Sequence, residues 1–116
     1  MEDLKTRTKR FAIEVIRYCE GLPNNPASWV IGKQLIRSAS SVGANYRSAR
    51  RGKSRADFIA KLSIVEEEAD ESLYWMELVD GLWAHDRNKL SDLMDEANQL
   101  VSIIVASKKT ARGRND

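Results

Sequence analysis

Prolines stand only at positions 23 and 26 of this 116-residue chain, and that placement constrains the fold more than any other feature. Proline interrupts helix interiors and central strands alike, so a single break near residue 25 leaves about ninety residues after it without another. Strands average five or six residues and are closed by frequent turn residues, whereas this chain carries only six glycines. Stretches so poor in breakers predict long helices.

The apolar spacing agrees. Leu4, Thr8, Phe11, Val15, Tyr18 and Leu22 recur at steps of four and three, the seam of an amphipathic helix. "GLPNNP" stops it, Gly21 suiting a helix C-terminus and Asn25–Pro26 an N-cap followed by a first-turn proline. A second helix is predicted from Pro26 to about Arg51, with Ile31, Leu35, Ser38, Val42, Asn45 and Ala49 on its seam and Ile36, Ala39, Gly43 and Tyr46 beside it. Its middle, "SASSVGA", is built of small side chains that favour helix only weakly. Their clustering points to close neighbours on more than one side. Gly52 ends this helix, and Ser54 with Asp57 resembles a capping box opening a third. Phe58, Leu62, Val65, Ala69, Leu73, Met76 and Val79 form the third seam, widened by Trp75, Leu78 and Leu82. After "AHDRN", Asp86 can cap a fourth helix through Leu90, Leu93, Met94, Ala97, Leu100, Val101, Ile104 and Val105. Four such helices on short turns predict an all-α, antiparallel up-down-up-down four-helix bundle over residues 1–110, with 111–116 as a frayed basic tail. The stripes are wide enough that Trp29, Tyr46, Trp75 and Trp83 are expected to remain partly exposed and to serve self-association.

Several function classes lack their residues. No glycine-rich phosphate loop, nucleophile elbow or metal-ligand cluster occurs, and His85, the single histidine, falls beside a turn where an exposed or capping role is expected. Cys19, the single cysteine, sits at core spacing. No catalytic site, cofactor or metal is therefore expected. Neither a membrane-length apolar run nor a secretory leader is visible, so a cytoplasmic protein with no membrane partner is expected.

Charge is distributed unevenly. "NYRSARRGKSR", Asn45 to Arg55, holds five cations and no acid in a chain of formal net charge +2. With the second turn near Lys53, residues whose numbers sum to about 106 stand level across the hairpin. Arg37 then faces the acidic run Glu66–Glu71, and Glu66 or Asp70 is expected to pair with it. A cation shared by Glu67 and Glu71 is the alternative use of that run, without the Glu-x-x-His ligands of carboxylate di-metal bundles. The same geometry gathers thirteen of the nineteen basic residues at one pole: Lys5, Arg7, Lys9 and Arg10, then Arg47, Arg50, Arg51, Lys53 and Arg55, then Lys108, Lys109, Arg112 and Arg114. Helix dipoles favour cations at C-termini by about 0.3–1 kcal/mol each, which accounts for a few. Arg47, Arg50 and Arg51 share a helix face at i, i+3 and i+4, and a nucleic acid, RNA or DNA, is the expected counter-charge for them, for Lys53 and Arg55, and for the tail residues Lys108, Lys109, Arg112 and Arg114. Sequence-specific reading is not expected, since no helix-turn-helix, zinc-finger or RNP signature accompanies them.

From Leu22 to about Val79 the chain resembles the bacterial four-helix bundle proteins named for members encoded in intervening sequences of 23S rRNA genes. The likeness rests on Gln34, Leu35, Arg37, Ser38, Ser41 and Asn45, on Ser54, Asp57 and Phe58, and on "EADESLYWMEL" from Glu68 to Leu78. It implies a bundle assembling into a ring, commonly a homopentamer. It also implies kinship with the accessory variability protein of diversity-generating retroelements, a basic bundle that binds nucleic acid and its reverse transcriptase. Many relatives carry Glu-Gly shortly after the asparagine, where this chain has Ser48 and Ala49 between Arg47 and Arg50, which reinforces the basic surface. The expected function is thus a non-enzymatic homo-oligomer binding nucleic acid, with copies of itself and a reverse transcriptase or other protein as partners. The alternative is a protein-interaction scaffold without a nucleic-acid role.

Overall fold

The computed structural model of the chain describes residues 2–113, in which four helices follow one another: α1 Leu4–Cys19, α2 Pro26–Arg50, α3 Arg55–Leu82 and α4 Arg87–Gly113. Caps define their starts. Asp3 accepts from the Thr6 amide at 2.8 Å, Asn25 from Ser28 at 2.9 Å, Ser54 from Asp57 at 3.1 Å and Asp86 from Lys89 at 3.2 Å, each satisfying an amide that the first helical turn leaves free. Asp57 in turn accepts from the Lys53 amide at 3.2 Å, one residue before the cap, so the predicted Ser54–Asp57 box is made from the Ser54 side and its return bond goes to Lys53 instead. Asp86 reaches its cap at φ 39°, in the left-handed region that aspartate tolerates better than most residues.

Each helix packs against the next in sequence and α4 closes back on α1, with no diagonal contact among the described residues. Neighbours run antiparallel: Thr8 meets Gly43, Ser38 meets Ser72, Lys108 meets Ser63, and Tyr18 meets His85. The bundle measures 52 × 23 × 21 Å. Its core is the predicted set of seams, from Phe11 and Val15 through Leu35, Ala39 and Val42 to Leu62, Val65, Met76, Val79, Leu90, Leu100 and Ile104. Two differences from the sequence expectation are informative. Tyr46 is buried at 8% exposure, because its position four residues after Val42 turns the ring into the core. Of the expected tail 111–116, residues 111–113 continue α4, with Thr110 and Ala111 still sharing a groove with Arg55 and Phe58 at the start of α3; residues 114–116 lie outside the described ones.

Small residues in α2 do what their clustering predicts. Gly43, Ser38 and Ala39 are buried, and a Cβ added at Gly43 would stand 3.2 Å from the Thr8 hydroxyl oxygen, so α1 lies directly on the α2 backbone there. Thr8 itself is sealed, its hydroxyl donating to the Leu4 carbonyl at 2.7 Å. Replacing Gly43 by leucine forces the two helices apart, and chemical denaturation should show a loss of about 1–3 kcal/mol. Gly81→Ala, where an added Cβ meets nothing within 4 Å, should instead gain up to about 1 kcal/mol. Equal effects at the two glycines would contradict the close approach.

Candidate nucleic-acid interface

The basic pole is made by how α2 ends. Arg51 caps the helix, its amide donating to the Ser48 and Ala49 carbonyls, and Gly52 follows with its own amide on Ala49 O at 2.9 Å. A side chain at Gly52 would bring a Cβ to 3.0 Å from that same oxygen, so only glycine lets the chain double back so tightly. The turn leaves Arg47, Arg50, Arg51, Lys53 and Arg55 exposed. Arg55 and Phe58 share a groove with Thr110 and Ala111, which places the exposed Lys109 and Arg112 of α4 at this same pole. Arg114 lies outside the described residues.

Other members of the expected cluster are taken. Arg7 binds Glu96 through two nitrogens, at 2.7 and 2.9 Å, and reaches Gln99 at 2.7 Å. Arg10 pairs with Glu2 and, at 3.5 Å, with Glu14. Lys108 is held by Glu66 at 2.7 Å and by the Ser63 hydroxyl at 3.1 Å, with its side chain only 14% exposed. The reason is the length of α1: at sixteen residues and 1.5 Å each it spans about 24 Å, well short of the other helices. Its start therefore reaches the level of Glu96 and Gln99 on α4, while α4 runs on to Gly113. Thirteen cations do not meet at one pole. What remains exposed, and unpaired among the described residues, is Lys5 and Lys9 beside α2, the five cations of Arg47–Arg55, and Lys109 and Arg112.

The acidic run of α3 is divided differently from the sequence expectation. Arg37 binds Glu68 at 3.2 Å and Glu71, and is steadied by Gln34 at 3.0 Å; neither Glu66 nor Asp70 is its partner. Glu66 and Asp70 lie on other faces of α3, the first turned toward Lys108 of α4 and the second toward solvent. The Trp75 indole N–H donates to Glu71 at 2.9 Å. That bond, with Arg37 behind it, holds the Glu71 carboxyl below its usual value, and it also occupies the carboxylate that a shared cation with Glu67 would need. Beneath this surface network Ser72 donates to Ser38 at 2.9 Å in the core. Asn45 is half-buried and donates to the Ser41 carbonyl at 2.8 Å.

Of the four aromatic residues expected at an oligomer interface, Trp29 is 60% exposed, its indole N–H on Asn24 at 2.9 Å. Trp75 and Trp83 are half-buried against the core, and Tyr46 belongs to it. Val30, at 61%, and Leu82, at 55%, extend the exposed apolar surface at the end opposite the arginines. His85 stacks on Tyr18 at 5.0 Å while its carbonyl accepts the Tyr18 hydroxyl at 2.7 Å. Burial pushes the Cys19 thiol up to about 11, keeping it protonated near neutrality.

One basic residue escaped the sequence reading. Lys61 follows Asp57 by one turn and pairs with it at 3.7 Å, yet it lines a groove with Arg47 and Arg51. The hairpin register, which sets residue 61 level with residue 45, was the signal that could have found it.

No helix among the described residues is long and apolar enough to cross a membrane. Residues 3–106 match the model of a protein family described as 23S rRNA-intervening sequence protein. Among solved structures, the chain is similar to a protein of unknown function from the S23 ribosomal protein family of Bacteroides thetaiotaomicron, with 32% identity and a TM-score of 0.85 over 92% of this chain and 99% of that one. No curated protein matches.

The Glu71 cluster sets a pH dependence. A carboxyl held below its unfolded value stabilises the fold above that value, near 4.5, and loses the contribution as pH falls through the folded one. Glu71→Gln should therefore be less stable than wild type at pH 6, by no more than about 1 kcal/mol for so exposed a group, and the gap in thermal melts should shrink as pH falls below 4.5 through the folded value. A gap that does not shrink on acidification would contradict the assignment.

Proposed function

The chain belongs to the 23S rRNA-intervening sequence protein family, and within it we propose that this member is a non-enzymatic bundle that assembles with copies of itself, as a pentamer, and binds RNA or DNA through its basic pole. One observation carries the nucleic-acid reading. Arg47, Arg50, Arg51, Lys53, Arg55, Lys109 and Arg112 are exposed together without an acidic partner among the described residues, while Asp57, the acid of this turn, is committed to Lys61 and the Lys53 amide. Cations crowded at helix ends repel one another, and a phosphate backbone relieves that repulsion while releasing its own counterions. Phosphate contact needs no base-reading residues, in keeping with a surface of arginines and lysines. Self-assembly multiplies such contacts, because each copy presents the same pole and a second contact within one assembly is effectively intramolecular.

The scaffold reading draws on a separate feature, the exposed Trp29, Val30 and Leu82 at the far end. Large apolar side chains gathered there suit a protein surface, and the same patch serves contact between copies. Both uses leave the basic pole open.

Affinity for a 20-nucleotide RNA should fall about a hundredfold or more between 50 and 200 mM salt. Replacing Arg47, Arg50 and Arg51 together by alanine should lower the logarithmic salt slope by about 2–3. Salt-insensitive binding, or none at 50 mM, would remove the nucleic-acid role. Light scattering should give a mass several times the 13.1 kDa of one chain, shifted toward that value by Trp29→Ser. A 13.1 kDa wild-type species would remove the assembly.

A further inference from the structure

Two shallow grooves run side by side along α2 and share Ala44 and Arg47. One, between α1 and α2, is lined by Lys5, Lys9, Ser40 and Gly43 together with the shared pair. The other, between α2 and α3, adds Ser48, Arg51 and Lys61 to them. Where they meet, Ala44 and Arg47 stand on the crest between them. With Ser40 and Ser48 one turn to either side of Ala44, the crest is low there, and the two grooves make one cationic trough with a low ridge along its middle. Its walls carry five cations, Lys5, Lys9, Arg47, Arg51 and Lys61, and no acid lines either groove. Lys61 alone has an acidic neighbour, Asp57 at 3.7 Å, an exposed pair weak enough to yield to a stronger anion.

From this we infer that a phosphodiester strand lies lengthwise along the flank of α2, over Ser40, Ala44 and Ser48, instead of meeting the bundle only at its end. The proposal rests on the nucleic-acid reading above and adds a path for the strand to it. From Ser40 to Arg51 the helix rises about 16 Å, long enough for more than one phosphate of a strand to lie along it. Small residues on the ridge let the backbone approach closely while longer cationic side chains reach it from the groove on either side. Three helices contribute, so the trough exists only in the assembled bundle. It explains why the two lysines of α1 that find no partner, Lys5 and Lys9, are the ones facing α2, whereas Arg7, which faces α4, is paired.

Fluorescence anisotropy with a labelled 20-nucleotide single-stranded RNA and the matching duplex tests the path on the full chain. Ala44→Glu, an exposed substitution, should weaken binding at least tenfold, and Ala44→Lys should tighten it, so that the paired signs separate electrostatics from misfolding. Lys5→Gln with Lys9→Gln should lower the logarithmic salt slope by about 1.4 for the single strand. If Ala44→Glu stays within twofold of wild type while Arg50→Gln with Lys53→Gln loses binding, the flank path is wrong and end-on binding stands. If wild type binds neither probe at 50 mM salt, the nucleic-acid function and the path fall together. Co-sedimentation with anionic vesicles that Ala44→Glu abolishes, without RNA binding, would assign the trough to lipid headgroups and overturn the proposal.

Discussion

The capped turn between α2 and α3 sets the register on which the rest of the molecule depends. Gly52 permits the chain to reverse directly after Arg51, and the bonds from the Asp57 amide to Ser54 and from the Lys53 amide to Asp57 start α3 at once. With so few residues in the turn, the height of every later pair is nearly decided: Ser38 against Ser72, and Arg37 against Glu68 and Glu71. The turn also fixes the electrostatics of the pole. The C-terminal end of α2 carries partial negative charge that welcomes Arg47 and Arg50, and Asp57 occupies the positive first turn of α3. Helix dipoles thus offset part of the cost of crowding arginines where no carboxylate answers them.

The second determinant is the shortness of α1. Lying tightly on α2 at Gly43, it covers only part of the length of its neighbours. One edge faces α4, and there Arg7 finds Glu96 and Gln99, while Glu14 finds Lys89. The other edge faces α2, where small residues offer no carboxylate, and Lys5 and Lys9 remain free. Arg7 is thereby made structural while Lys5 and Lys9 stay available, according to which neighbour each one faces. Beyond the reach of α1, α4 continues with only α3 beside it, leaving the apolar groove around Phe58, Ile103 and Ala106 open next to the basic pole.

The two ends of the bundle consequently differ in kind. One presents arginines and lysines. The other presents Trp29, Val30 and Leu82, with the acidic α3 surface clamped by Arg37 between them. Such a polarity suits a protein that holds copies or partners at one end and a polyanion at the other, and the near-zero net charge of the whole conceals it.

Helix number, helix starts and most of the core were legible in the sequence, because each depends on residues near one another in the chain. Asn25–Pro26 and Ser54–Asp57 announce caps through bonds spanning three residues, and the seams follow from the 3.6-residue period alone. Tyr46 is buried and not a surface aromatic, because the flank of α2 that it shares with Ala39 and Gly43 is covered too, as the small residues there foreshadow. Partner choice was beyond reach. A register rule gives heights along a hairpin but not the angle around each helix, and a shift of a few residues on α3 carries a carboxylate from α2 to α4. Arg37 thus meets Glu68 and Glu71, and Glu66 goes to Lys108. The composition of the helices was determined by the sequence itself; which cations are neutralised and which stay free was decided only when four rods of unequal length packed together, because pairing depends on distances between side chains far apart in the chain.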